Sequence, residues 1–189
     1  MKSRLPIRTL FKPQLISKPS VKSIIPIGSW WEIEHYRQGR LIDKWAQKNV
    51  NTDEGLNHLL NVGFHGATAI ETWYMGLFED DYTPLVTNTY ATPGFTESTA
   101  YDEATRPAFV EAEATTKVIT NSASKATFTI SSTKTIYGAF LCGGGSTPNT
   151  KGDAAGGGTL FASSKFATAK EVVDDDILMV VCSITLADV

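Results

Sequence analysis

The chain has 189 residues, with 17 Lys and Arg against 20 Asp and Glu and only two cysteines. This length suits one domain with a hydrophobic core and a short extension. No stretch approaches the roughly 18 to 20 apolar residues of a membrane-spanning helix. Two cysteines provide neither a disulfide framework nor a complete metal site. We therefore expect no membrane partner, and we expect Cys142 and Cys182 to be reduced core residues.

The first 28 residues differ in charge from everything that follows them. They contain six basic side chains, four prolines and no acid, which leaves 11 basic against 20 acidic residues in the remainder. This asymmetry indicates that the two parts meet different partners, or that the arm of one copy lies on the body of another. The sequence therefore predicts an extended assembly arm at residues 1–28 and a single β-rich domain at residues 29–189.

The arm is predicted to bind a partner, because it holds too many aliphatic residues for a purely solvated tail. Its basic and apolar side chains are interleaved along the same stretch. The predicted partner-binding residues are Arg4, Leu5, Ile7, Arg8, Leu10, Phe11, Lys12, Leu15, Ile16, Lys18 and Lys22.

A targeting peptide is the main alternative for this arm. The arm lacks the continuous apolar stretch and the small-residue cleavage site of a secretory signal. An acid-poor stretch that contains serine fits a transit peptide better, but four prolines would interrupt any helix that such a peptide forms. We therefore favour assembly over targeting.

A β-hairpin is predicted directly after the arm. Trp31, Ile33 and His35 alternate with two glutamates, which is the period of a strand with two different faces. A polar stretch at residues 37–40 supplies the turn, and a second apolar run follows it.

A short helix is predicted within "NTDEGLNHLLNVGFHG", residues 51–66. Asn51 is the expected N-cap, with Glu54 three residues later, and Gly63 or Gly66 is expected to end the helix. Four apolar residues fall on one face at helical spacing. They are Leu56, Leu59, Leu60 and Phe64. We assign this single stripe to ordinary core packing rather than to a binding groove.

From residue 69 onward the sequence is typical of short strands separated by turns. The predicted strands are "AIETWYMGLF", "PAFVEAEA", "TKVIT", "KATFTIS", "TIYGAFLC", "TLFASSKF" and "DILMVVCSITL". Residues 121–124 are predicted to close a hairpin between the third and fourth of them. Together with the first hairpin, these strands predict a mainly β fold, a sandwich or a barrel-like domain with one short helix and the extended N-terminal arm.

Two long loops are predicted at residues 83–106 and 143–158. The second is rich in glycine and superficially suggests a phosphate-binding loop, but it lacks the spacing of four residues between a first glycine and a Gly-Lys-Ser/Thr triplet. Pro148 also interrupts any continuous row of backbone N–H donors. We interpret both segments as surface loops, which in assemblies often carry contacts.

Catalytic and metal-binding patterns are missing from the sequence. His35, His58 and His65 form no H-E-x-x-H motif, so structural hydrogen bonding is the favoured role for each of them. The three aspartates at residues 174–176 lack the alternating spacing of a calcium loop and are interpreted as a solvated turn. The sequence predicts no enzyme activity, no metal site and no cofactor.

Several segments, in this order, resemble one family of small proteins encoded among the virion genes of tailed bacteriophages. They are "TDEGLNHLLNVGFHG", "TWYMGLF", "YDEATRPAF", "TNSASKATFTI", "TIYGAFL" and "GTLFASSKF". The resemblance covers roughly residues 30–189, and the arm lies outside it. It implies a structural component of the virion that has no catalytic residues.

Within that family, a capsid decoration or cement protein is the expected role. A compact β-domain with a long arm suits attachment to many copies of a head lattice, and an arm of this length spans at most about 90 to 100 Å when fully extended. The expected partners are the major capsid protein or other virion proteins, together with further copies of this chain in a homo-oligomer. The expected location is the phage particle.

Three alternatives remain open at this stage. A neck, tail or fibre-attachment protein would use the same arm to anchor itself in a ring. A nucleic-acid-binding module would place the arm on phosphates, but the arm is rich in aliphatics and Phe11 is its only aromatic residue. A carbohydrate-binding module would use paired aromatics, although strand alternation favours burial of one residue in each pair. Those aromatics are Trp30, Trp31, Trp73 and Tyr74.

Overall fold

A computed structural model describes residues 26–187 as two antiparallel sheets and one helix. The strands are β1 Ile27–Arg37, β2 Arg40–Lys48, β3 Val50–Asn51, β4 Trp73–Phe78, β5 Glu97–Ser98, β6 Val118–Thr120, β7 Ala126–Thr129, β8 Lys134–Gly143, β9 Thr159–Val172 and β10 Ile177–Leu186. The helix, α1, spans Asp53–Phe64. The prediction of a mainly β, sandwich-like domain with one short helix is confirmed. β1 begins at Ile27, inside the range predicted for the arm, and residues 1–25 of that range lie outside the described residues.

The first sheet has the strand order β2-β1-β10-β6, with β7 also paired to β10. The predicted hairpin of β1 and β2 is confirmed, and it turns through Gln38 and Gly39, which both have positive φ. Trp31, Ile33 and His35 are buried on the inner face, as the alternation predicts. Trp30 points to the other face and is 41% exposed.

The predicted hairpin around residues 121–124 is wrong. A turn does form there, but β6 and β7 do not pair with each other, because each pairs with a different part of β10. Asn121 fills the gap between them: its side-chain oxygen accepts from the N–H of Cys182 at 2.8 Å, and its amide nitrogen donates to the carbonyl of Val180 at 3.1 Å. A buried side chain therefore replaces the backbone hydrogen bonds that the ladder lacks at this point.

The second sheet has the strand order β3-β9-β8-β4-β5. The strand predicted at residues 107–114 does not form. The carbonyl of Pro107 accepts from Met75 N, and Phe109 N donates to the carbonyl of Trp73, the first residue of β4. Beyond this point the segment leaves β4, and Ala112 N donates instead to the carbonyl of Thr120 in β6. Proline also removes one ladder donor. Only an isolated bridge therefore remains where the sequence predicts a strand.

The main core lies between the two sheets. It includes Trp31, Ile33, Met75, Leu77, Phe128, Leu141, Phe161 and Val180. Each fully buried side chain of this size contributes about 1.5 to 3 kcal/mol. Cys142 and Cys182 are buried, as predicted, and they do not form a disulfide with each other.

A second, smaller core lies on the outer face of the second sheet, under the irregular segment at residues 79–96. The ring of Phe95 stacks on Phe78 with centroids 4.6 Å apart and also contacts Phe140 at 5.1 Å. β4 and β8 are therefore buried on both faces, which explains why their sequences are almost continuously apolar.

Two glycines make room for the aromatic rings of this outer core. Gly76 on β4 is opposite Phe140 on β8, and Phe78 on β4 is opposite Gly138 on β8. A Cβ atom at Gly138 would lie 2.0 Å from Phe78 Cζ and 2.3 Å from the carbonyl oxygen of Ser164. Each phenylalanine thus lies over the glycine of the neighbouring strand.

Candidate interaction surface

The predicted partner-binding residues, from Arg4 to Lys22, all lie outside the described residues 26–187. The structure instead describes the surface at which that arm joins the domain. This surface is built around helix α1.

Helix α1 is fixed to the second sheet by its first turn. Thr52, rather than the predicted Asn51, is the N-cap, and its hydroxyl accepts from Gly55 N at 3.0 Å while it donates to the carbonyl of Leu160. The Glu54 carboxylate accepts from Leu160 N at 2.6 Å and also from Tyr90 N. The helix ends at Phe64, between the two positions that the sequence predicts.

Three of the four residues in the apolar stripe of α1 face solvent and Leu56 is half-buried, so the assignment of the whole stripe to core packing is wrong. Leu59 is 39% exposed, Leu60 is 57% exposed and Phe64 is 89% exposed. The buried helical residue is Gly55, where a Cβ atom would lie 2.6 Å from Phe161 Cα. The helix packs through a position without a side chain, so the hydrophobic pattern indicates the wrong face.

A groove of about 1100 Å³ runs beside this stripe, and we name it the α1 groove. Its walls come from the start of β1, the segment between β2 and the helix, the helix itself and the end of β10. Its apolar lining residues are Ile27, Trp30, Val50, Leu56, Leu59, Leu60, Phe64, Val86 and Leu186. Contiguous apolar surface that is exposed to solvent is a common feature of interaction sites.

A second hollow of about 380 Å³ continues the apolar surface, because Leu59 and Leu186 line both spaces. Trp73 and Phe109 also line it. Trp73 packs edge-on against the Phe161 ring with centroids 5.5 Å apart, so it serves the core as well as this hollow. The apolar surface therefore extends along both sides of α1.

A charged cluster on the outer face of the first sheet is centred on Glu34. Its carboxylate accepts from Lys125 Nζ at 2.7 Å, Lys44 Nζ at 3.0 Å and the Tyr36 hydroxyl at 2.9 Å. The hydrogen bonds from Lys125 and Lys44 lower the pKa of Glu34 from 4.5 to about 2. The cluster is satisfied by its own members, which is the arrangement of a structural ion network.

Acid is expected to destabilise the protein partly through Glu34. Its folded-state pKa lies below the unfolded value of 4.5, so its stabilisation is complete above that pH and is lost as the pH falls towards 2. We expect a loss of about 1 kcal/mol, because both lysines reach solvent and screening weakens exposed pairs. Urea unfolding at pH 7 and pH 3 measures it, and Glu34→Gln should reduce the difference between the two pH values. An equal difference in that variant would contradict this assignment.

The turn at residues 174–176 is only partly solvated. Asp174 and Asp175 are exposed as predicted, but Asp176 is fully buried. Its carboxylate accepts from Arg37 Nη2 at 2.7 Å and lies 2.8 Å from His35 Nε2. Although burial alone would raise the pKa of Asp176, the hydrogen bonds from Arg37 and the Val173 N–H lower it. This carboxylate joins the turn before β10 to the end of β1.

The two long loops are held together by a buried arginine, Arg106. Its guanidinium donates to both oxygens of Glu97, at 2.9 and 2.6 Å, and to the carbonyls of Pro148 and Asp153 at 2.8 and 2.7 Å. Burial by itself lowers the pKa of Arg106, but the hydrogen bonds and charge of Glu97 reverse this and raise it. The tyrosine hydroxyl of Tyr90 accepts a further bond at 2.9 Å. All its donors point at protein groups, so Arg106 fixes the loops in place.

Within residues 26–187, no group of three or more His, Cys, Asp or Glu side chains has the arrangement needed to bind a metal ion. No helix of that described part is long and apolar enough to cross a bilayer. His35 is hydrogen-bonded to Asp176, and the ring of His58 packs edge-on against Trp73, so both have structural contacts.

Comparison of the sequence with models of known protein families finds no match, and comparison with curated proteins finds none either.

Proposed function

We propose that this protein is a non-enzymatic structural component of a tailed-phage virion, a capsid decoration protein that attaches to the head lattice. The observation that carries the attachment role is the exposed apolar surface of α1 and the α1 groove. Exposed apolar surface is a common feature of sites at which a protein binds a partner. The phage assignment is supported by the resemblance of residues 30–189 to small virion proteins.

The arm is the second half of the proposed attachment device. It joins the domain at Pro26 and Ile27, and Ile27 lines the α1 groove. The arm is therefore connected to the domain at a residue of the groove wall. The partners proposed for this device are the major capsid protein or other virion proteins, and further copies of this chain.

Arm variants are expected to separate apolar docking from charge attraction. Leu10→Asp with Ile16→Asp should release the full-length protein from particles, because each buried aliphatic contributes about 1.5 to 3 kcal/mol. Lys12→Gln with Lys18→Gln should only weaken attachment, since exposed charge pairs contribute about 0 to 1 kcal/mol each. Co-sedimentation with purified particles measures both pairs.

The outcome of these variants also tests the alternatives. A decisive lysine pair, together with retardation of DNA at physiological salt, would replace this proposal with nucleic-acid binding. Quantifying the protein in purified particles decides between head and neck or tail. Copies over the whole lattice support decoration, whereas a single ring of copies would contradict it.

A further inference from the structure

We propose that in the free protein the α1 groove is filled by the chain's own N-terminal segment, residues 1–25. This inference goes beyond the proposed virion role, because it concerns the protein before it meets any particle. It names one groove and one occupant, and it can fail while the virion role stands.

The first argument is the place at which the segment joins the fold. The carbonyl of Pro26 accepts from Ala187 N at 3.1 Å, directly after Leu186, which lines the groove. The carbonyl of Ile27, another lining residue, accepts from the Asn51 amide nitrogen at 3.0 Å. These hydrogen bonds hold Pro26 and Ile27, the two residues that follow the segment, at the wall of the groove.

The second argument is length. Helix α1 has 12 residues and is therefore about 18 Å long. A segment of 25 residues can extend to about 80 to 90 Å, so it can leave β1, reverse its direction and still run the whole length of the groove.

The third argument is composition. The groove is mainly apolar, and Lys48 is the charged side chain among its lining residues, so its occupant must be recognised through apolar contacts rather than through opposite charge. The segment supplies aliphatic residues along its whole length. They include Leu5, Ile7, Leu10, Leu15, Ile16, Val21, Ile24 and Ile25.

The segment of the same copy is favoured over that of a second copy by its tether. A short linker gives a tethered group an effective concentration of about millimolar at its site, which a separate molecule reaches only in concentrated solution. Docking within one chain also avoids the loss of translational and rotational freedom that association of two molecules requires. On a particle the same segment can leave the groove for a neighbouring surface.

Disulfide trapping in the full-length chain tests this inference. Ser17→Cys or Ser20→Cys is combined with Leu60→Cys, which replaces a lining residue that is already half exposed. Both native cysteines are buried, so they contribute little background. We expect a disulfide within one chain, formed at least about tenfold faster than with Ala46→Cys, an exposed position on β2 that is not a lining residue.

Two further variants show whether docking or mere tethering produces the disulfide. Ile16→Asp with Val21→Asp keeps the tether and removes apolar contacts on both sides of the thiols, so it should slow the reaction to the rate of the Ala46→Cys control. Lys18→Gln with Lys22→Gln changes neighbouring positions and should leave the rate within about twofold, because screened charges contribute little. Thermal unfolding of each variant checks that the domain remains folded.

Three results would overturn the inference. Equal rates at Leu60→Cys and Ala46→Cys would mean that the groove does not hold the segment. A fast reaction that the aspartate pair does not slow would mean that the tether alone brings the thiols together. A disulfide-linked dimer would mean that the groove takes the segment of a second copy.

Discussion

Replacing Arg106 with methionine is expected to lower the free energy of unfolding by about 3 to 5 kcal/mol. Arg106 and Glu97 are both buried, and their two hydrogen bonds measure 2.9 and 2.6 Å. Removing the arginine leaves a buried carboxylate without its counter-charge, and it leaves the carbonyls of Pro148 and Asp153 without their donor. Chemical unfolding at pH 7 measures the loss.

Lys165→Met is the matched control for this variant. Lys165 Nζ lies 2.5 Å from a carboxylate oxygen of Asp81, a contact as short as those of Arg106. The Asp81 side chain is 69% exposed, however, so the loss should be only about 0 to 1 kcal/mol. Equal losses in the two variants would show that burial does not distinguish these ion pairs, and that Arg106 does not hold the loops.

Gly138→Ala is expected to destabilise the protein by about 1 to 3 kcal/mol through overpacking. The new Cβ atom would overlap Phe78 and the backbone carbonyl of Ser164. The phenylalanine ring can turn away only into the outer core, where Phe95 already stacks on it at 4.6 Å, and the backbone oxygen belongs to the paired strand β9. Thermal unfolding measures the effect.

Gly63→Ala is the control variant, in which the same substitution is made at a position with open space. Gly63 lies in the last turn of α1, and a Cβ atom there would meet nothing within 4 Å. Alanine in a helix is more stable than glycine by about 0.5 to 1 kcal/mol, so this variant should be slightly more stable than the natural protein. If Gly138→Ala did not lower the stability either, the contact between Phe78 and Gly138 would not require glycine at position 138.

The sequence predicts an element correctly where the polarity of its own side chains determines which face is buried. The alternation around Trp31 and Ile33 gave the correct faces of β1, because inner and outer positions differ in polarity. The hairpin expected at residues 121–124 does not form, because the decisive contact is a side-chain bridge from Asn121 to Val180 and Cys182, which lie 59 and 61 residues later in β10. Local turn chemistry carries no information about such a distant partner.

The candidate surface was missed for a related reason. A hydrophobic stripe indicates that a helix has an apolar face, but it does not indicate whether that face meets the same chain or another partner. In α1 the packed position is Gly55, which gives no hydrophobic signal at all. Asp176 was misjudged similarly, since nothing near it in the sequence shows that His35 and Arg37 will surround it.

Helix α1 is hydrogen-bonded to the second sheet at its first turn and packs on Trp73 through His58, so its last turn is the least restrained part of the groove wall. Thr52 and Glu54 fasten the first turn to β9, whereas the last turn carries the exposed Phe64. Opening a terminal turn requires far less free energy than unfolding a domain. We therefore expect the last turn of α1, rather than the two sheets, to adjust when the groove is filled.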